Sequence, residues 1–328
     1  MLRYIAARIL WSIPLLFAVS VMAFVLITLP PGDFVSSYIA RAAASGEALD
    51  AAAAQALRAR YGLDESIFVQ YWRWIIGVLQ GDFGRSFEWD EPVSDLIWGR
   101  IGYTLLLTIP TLFFTWAVAL PIGIYSAVRQ YSLGDYLFTT VGLLGLATPN
   151  FLVGLAGLFV AFSWFGVDLT GFFSPQYTNQ PWSWDKFWDL LAHLWMPVVV
   201  LGTAGTASLI RVMRANLLDE LRKPYVEAAR ARGLDEMQLV LRYPVRLAIN
   251  PFLSTVGWIL PQLVSGSIIV SIVFSLPTSG PLLLQSLMSQ DMYLAGAFIL
   301  VLSVLTVIGT LLSDLLLAAV DPRIRYGK

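Results

Sequence analysis

The residues able to do covalent chemistry are few in this 328-residue chain: one histidine, His193, three lysines, Lys186, Lys223 and Lys328, and no cysteine. Without cysteine there is no disulfide, no thiolate metal site and no Cys nucleophile. No G-x-x-x-x-G-K-[ST] run occurs, so the chain lacks the phosphate-cradling loop of an ATPase. The lone histidine has no G-x-S-x-G elbow to serve, and beside Trp195 it reads as a satisfied interfacial ring.

What remains is docking chemistry. In "KPYVEAARARGLDEMQLVLRYP", Pro224 suits a first helical position, Glu227 falls in the first turn where the helix dipole favours an anion, and Gly233 supplies a left-handed stop. Asp235 then caps a second helix, with Gln238 as its capping-box partner, until Pro244 interrupts. Two short helices at a glycine hinge, with the small Ala228 and Ala229 near its tip and Met237, Leu239 and Val240 as apolar contacts, make a plug for a cleft in another protein.

The sequence around this segment belongs to a bilayer. The chain is 57% hydrophobic and 13% charged, more apolar than a soluble core can bury. A hydrocarbon core takes about 20 apolar helical residues. Six stretches qualify: Ile9 to Leu29, Gly102 to Val128, Tyr136 to Phe165, Leu194 to Met213, Phe252 to Ser275 and Tyr293 to Ala319. The first follows Arg3 and Arg8 but is too long for a signal-peptide core and ends in "LPPGD", so it is expected to stay as an anchor. Six spans put both termini on one side, and fourteen Lys and Arg fall on that side against seven on the other, which predicts cytoplasmic termini. The plug is then cytoplasmic. Pro110, Pro121, Pro149 and Pro261 predict kinks. Trp72, Trp74, Trp182, Trp184, Trp188 and Trp195 read as an interfacial belt. Span centres are nearly free of ionisable residues, which removes the usual members of a proton relay, and the near-neutral charge gives no reason to expect a nucleic-acid partner.

Outside the spans, Pro30 to Arg100 is the largest segment. Its alanine-rich "RAAASGEALDAAAAQALRARYGLD" and amphipathic "FVQYWRWIIGVLQ" predict surface helices and a folded cap.

The run Glu227-Ala228-Ala229, three residues, then Gly233 resembles the EAA loop of permease subunits of binding-protein-dependent ABC importers. "YGLDESIFVQYWRWIIGVLQGDFGRSF" with "PVSDLIWGRIGYTLLLTIP", and "DPRIR" near the end, are similar to the dipeptide/oligopeptide permease branch. The chain departs from the wider pattern where Tyr243 and Val245-Arg246 replace an Ile and a Leu-Pro. The resemblance implies an all-α type I importer permease with six transmembrane helices: tail and first span over 1–29, an extracytoplasmic insertion over 30–101, and a core over 102–328 whose coupling loop covers 214–250. It implies ATPase-coupling roles for Glu227, Ala228, Ala229 and Gly233 and no catalytic, metal or cofactor site, ATP being bound by partner subunits. The implied partners are a homologous second permease, two ATP-binding subunits, an extracytoplasmic solute-binding protein and the lipid of a bacterial inner membrane. Peptides are the implied cargo, with oligosaccharides or glycosides, nickel chelates and glutathione as alternatives within the branch.

Overall fold

The computed structural model describes residues 2–29, 31–44, 51–254 and 266–320. Among them the regular elements are helices, apart from one isolated bridge between Arg85 and Pro92. In chain order they are α1 (Leu2–Thr28), α2 (Phe34–Ala44), α3 (Ala51–Tyr61), α4 (Ile67–Leu79), α5 (Val93–Val128), α6 (Leu133–Ala147), α7 (Asn150–Phe165) and α8 (Trp184–Leu221). Then follow α9 (Pro224–Ala231), α10 (Glu236–Arg242), α11 (Pro244–Ala248), α12 (Asn250–Ser254), α13 (Ile268–Val273), α14 (Ser279–Met288) and α15 (Met292–Val320).

Four helical stretches are long and apolar enough to cross a bilayer: Arg8–Thr28 in α1, Val93–Val128, Trp184–Leu221, and Met292–Leu317 in α15. They coincide with four of the six expected spans. The third expected span, Tyr136 to Phe165, is not a continuous helix: α6 and α7 meet at 98°. The cause is Pro149. Its ring pushes the preceding Thr148 into an extended conformation (φ −92°, ψ 126°), and the helix restarts only at Asn150. Counting this broken pair as one crossing gives five among the described residues. The centre of the remaining expected span, including Pro261, lies outside the described residues, between α12 and α13. Pro110 and Pro121, where kinks are expected, both lie within the single 36-residue helix α5.

The chain divides into two units, each with its own core. The first is Met1–Thr104 with Thr278–Val307. Here α4 buries Gln70, Trp74 and Ile75 and turns Phe68 and Trp72 outward. Trp74 is therefore a core residue, 2% exposed and stacked on Phe24 at 6.0 Å, and not part of an interfacial belt as its position in the sequence leads one to expect. Gly296 of α15 makes room for it: a Cβ there would stand 3.1 Å from the indole. Tyr71 reaches Ser20 of α1 at 2.9 Å. Phe34, Tyr61, Phe87 and Tyr293 extend the aromatic cluster. A buried carboxylate ties the loop before α5 to the start of α15: Asp291 accepts from Ser86 Oγ (2.5 Å), Phe87 N (2.8 Å), Glu88 N (3.2 Å) and Leu294 N (3.2 Å). Burial pushes its carboxyl up, against those four bonds.

The second unit is Leu105–Pro277 with Ile308–Lys328. Its spine is α8, on which α6, α7, α11, α12 and α13 pack. Small residues let the long helices approach: a Cβ at Gly202 would stand 2.5 Å from Phe114, and one at Gly123 2.6 Å from Met213. Before α8, the tryptophan-rich loop is pinned by Lys186, 6% exposed, whose ammonium donates to Gln180 O (2.6 Å) and lies 4.7 Å from the Phe173 ring centre. His193 is buried with Nδ1 2.8 Å from Asp189 O, a satisfied ring as its surroundings predict.

Candidate functional site: a charged two-helix elbow

Leaving α8, the chain turns twice within thirty residues, and each turn follows from residue type. Arg222 ends α8 and Pro224 opens α9 at a position whose N–H would be unbonded in any case. The helix lasts eight residues. Arg232 N and Gly233 N bond back to Ala229 O (3.2 Å) and Arg230 O (3.0 Å), and Gly233 takes φ +79°, the left-handed conformation that removes the chain from the helix. Asp235 then accepts from Met237 N (3.1 Å) and Gln238 N (3.3 Å), capping α10. Pro244 stops α10 and serves as the first residue of α11.

Burial separates the faces of this elbow. Val226, Ala229, Leu239, Val240 and Ala248 turn inward and join Met213, Leu217 and Phe252 in one apolar core. Glu227, Ala228, Arg230, Arg232, Gly233 and Met237 turn outward. The four residues singled out in the sequence are thus split: Glu227, Ala228 and Gly233 lie on the exposed tip, while Ala229, 9% exposed, holds the tip to its base. Leu239 and Val240, expected to offer apolar contact to another protein, are 0% and 2% exposed and pack internally. Met237, at 64%, is the apolar side chain of that group left outside. The pattern misled because α10 is only seven residues long, and its two most apolar neighbours face the base.

Three electrostatic contacts invisible to the motif fix the elbow's shape. Arg230 grips Glu236 with two hydrogen bonds, Nε to Oε2 at 3.0 Å and NH2 to Oε1 at 2.5 Å, closing over the Gly233 turn. The hydrogen bond from Arg230 holds the Glu236 carboxyl below its ordinary range. At the base, Glu220 accepts from Lys223 Nζ (2.6 Å) and from Tyr225 OH (2.7 Å). Burial, then the Glu220 bond, push the Tyr225 phenol up. Glu220 lies in the last turn of α8 and Lys223 is the N-cap residue of α9, so that pair bridges the turn between the two helices. The Arg230–Glu236 spacing of six becomes a contact only after the glycine reverses the chain.

No group of three or more acidic, His or Cys side chains that can hold a metal ion occurs among the described residues. An all-helical, multi-span chain carrying a rigid, charged elbow on one side has the form of a membrane transport subunit. The comparisons agree. Residues 119–326 match the family described as "Binding-protein-dependent transport system inner membrane component", and residues 1–108 match its N-terminal counterpart. The chain therefore belongs to the inner membrane components of binding-protein-dependent transport systems, the permease subunits of ABC importers. It is 35% identical to the oligopeptide transport system permease protein AppB of Bacillus subtilis, covering 99% of this chain and 100% of that one. Identity is 36% to a putative peptide permease of Brucella ovis, over 99% of each, and 34% to the glutathione transport system permease protein GsiC of Escherichia coli, over 99% and 100%. Among solved structures, the methionine ABC transporter MetNI in inward-facing conformations shares the fold at TM-score 0.53 and 18% identity, over 69% of this chain and 96% of that one. The protein is a multi-pass inner membrane component of a transport system.

Proposed function

We propose that this chain forms half of the translocation pathway of an ATP-driven peptide importer and that the α9–α10 elbow is where the energy enters. The observation that carries the reading is the elbow's construction. It has an exposed tip of small and charged residues, Glu227, Ala228 and Gly233, fastened through Ala229, Val226 and Leu239 to the core around α8. A tip so built transmits a push to the helices instead of bending. The second half of the pathway comes from a homologous permease in a heterodimer. Two partner subunits bind and hydrolyse ATP, so this chain needs no cofactor. The elbow faces the cytoplasm with both termini, and the α2–α4 segment faces outward to receive a solute-binding protein. Closure of the ATP-binding pair then shifts the elbow and biases the bundle between its two openings. Peptides are the cargo best supported, because the relatives above are named as oligopeptide, peptide and glutathione permeases.

Because the chain has no cysteine, Ala228→Cys is its only thiol. In the assembled transporter this thiol is expected to cross-link to an ATP-binding subunit carrying a cysteine in its docking cleft, and to do so at a yield that changes with nucleotide. A thiol that reacts freely with water-soluble maleimide in every nucleotide state, and never cross-links, refutes the docking assignment. The ligand retained by the purified binding protein tests the cargo: a peptide supports the reading, a glycan overturns it.

A further inference from the structure

Between α6 and α8 lies a cleft of about 270 Å³. The two helices touch where Gly142 and Gly145 face Ala207 and Thr203. Beyond that contact the cleft is walled by Phe138, Leu143, Leu146 and Ile210 and ends in two guanidinium groups, Arg211 and Arg214. Asp135 takes one arm of Arg214 at 3.0 Å, and the Nε of the same side chain is enclosed without a partner. Arg211 is exposed and finds no hydrogen-bond or ion-pair partner among the described residues. The local charge, two arginines less one aspartate, is therefore positive by one. Helix rise places these arginines in depth: at about 1.5 Å per residue, Arg211 lies roughly 24 Å along α8 from Trp195 and roughly 35 Å from Trp188. Exposed indoles at one end and arginines one hydrocarbon thickness away mark the two interfaces. The outer face of α6 is bare apolar surface, with Leu137, Val141 and Leu144 all more than half exposed.

From the cleft's position at an interface, its apolar walls and its unneutralised arginine, we infer that it binds an anionic phospholipid of the elbow-side leaflet. The phosphodiester lies against the exposed guanidinium of Arg211, with Arg214 lining the cleft behind it, and the first carbons of an acyl chain run along Phe138, Leu143 and Leu146. Basic pockets between membrane helices take such headgroups because the phosphate gains paired donors while the chain keeps a hydrocarbon neighbour. A cleft of about 270 Å³ has room for a phosphodiester and its nearest carbons. An arginine that merely stretched toward headgroup water would need no cleft. The inference rests on the membrane-permease reading for its setting, and its readout needs no transport, so the two fail separately.

The test uses the intact transporter purified in mild detergent. It is exposed to phosphatidylglycerol or phosphatidylcholine of matched chains, and retained lipid is counted by native mass spectrometry. Wild type is expected to retain phosphatidylglycerol about fivefold more than Arg211→Gln, the worth of one basic residue at an anionic surface, and phosphatidylcholine equally in both. Arg211→Lys should fall between. Ala215→Trp, which leaves every charge in place but fills the exposed mouth, should also lose the lipid, and it serves if the glutamine variant does not assemble. Equal retention of phosphatidylglycerol by wild type and both variants overturns the proposal. Displacement of the lipid by glycerol 3-phosphate at equal concentration overturns it in favour of a soluble phosphate. Cross-linking of a unique Thr139→Cys to the second permease overturns it in favour of a protein neighbour.

Discussion

The elbow and the α2–α4 core are both small helical assemblies, but they are stabilised in opposite ways. In the first unit, α2 to α4 hang on a buried aromatic cluster, and Asp291, whose carboxylate is fully enclosed, holds the loop that brings Phe87 into that cluster. The α9–α10 elbow has a thin buried face and puts its charges outside, as the Arg230–Glu236 and Glu220–Lys223 pairs do. Enclosed polar groups lock a shape from within, whereas charges left outside keep a surface open to solvent. Enclosed groups are costly to lose and exposed ones are not.

The largest effect is expected at Asp291. Asp291→Ala strands Ser86 Oγ and three backbone N–H groups in a dry site, and each buried donor left unpaired costs about 1 to 3 kcal/mol, so the loss should be about 3 kcal/mol or more. Limited proteolysis should open the segment around α3 in this variant while the elbow stays protected. Equal protection of both regions breaks the comparison. Next comes the alanine pair. Ala229→Glu buries a charge in the elbow's base and should lower chain stability and uptake together. Ala228→Glu, on the exposed tip, should leave the melting temperature unchanged and abolish coupled uptake alone. If the two variants behave alike, packing and docking are not separable here.

The alanine pair also marks the limit of what the sequence displayed. Proline at N1, a left-handed glycine and a capping aspartate are local signals, and Pro224, Gly233 and Asp235 each do what their chemistry dictates. Which way Ala228 and Ala229 point depends on how α9 lies against α8, and no local signal carries that. The apolar spans were legible as composition, the first and the last nearly to their ends, whereas Val93–Val128 and Trp184–Leu221 run past the expected bounds because the helix continues through polar residues. The break at Pro149 was legible as a kink but not as a 98° bend, because the angle is set by how α6 and α7 pack on α8. Trp74 illustrates the same limit: six tryptophans near span ends read alike, and only the packing against Phe24 and Gly296 sets this one apart.

Gly233 should show an intermediate effect with a diagnostic order. A Cβ there meets nothing within 4 Å, so any penalty is conformational. Asn, which tolerates positive φ, should lose least, Ala should lose about 1 kcal/mol, and a β-branched Val or a Pro, which cannot adopt φ +79°, should lose most. Uptake measured across Gly, Asn, Ala and Val should fall in that order. An order following side-chain size would mean that the tip is sterically enclosed by its partner.

In the first unit, two carboxylates titrate in opposite senses. Burial of Asp33 is outweighed by bonds from Arg58 and Ser36, which hold its carboxyl at about 2 against an ordinary 3.8. Its contribution is present above pH 3.8 and is lost as pH falls through about 2. Asp291, pushed up by burial, contributes fully below the ordinary value and loses that contribution as pH rises through its higher folded value. Melting of the purified chain against pH should therefore weaken on the acid side through Asp33, and Asp33→Asn should remove that arm while leaving the Asp291 arm. Loss of both arms in the asparagine variant would mean that the two sites are coupled.

The smallest effect is expected where the drawing looks strongest. Arg230 and Glu236 make the best-formed fork in the elbow, yet both side chains are about half exposed, so water and salt already do most of what each does for the other. Arg230→Ala, Glu236→Ala and the double variant should melt together with wild type, within the error of the measurement. If the fork matters, it matters for shape. By closing over the Gly233 turn it narrows the angles that α9 and α10 can take, and a narrower range means less motion lost between a partner's stroke and the helix bundle. The single variants should then hydrolyse more ATP per solute imported, and a charge-reversed pair, Arg230→Glu with Glu236→Arg, should restore the ratio. A ratio unchanged in the single variants would reduce the fork to surface decoration and leave Gly233 alone to set the elbow's angle.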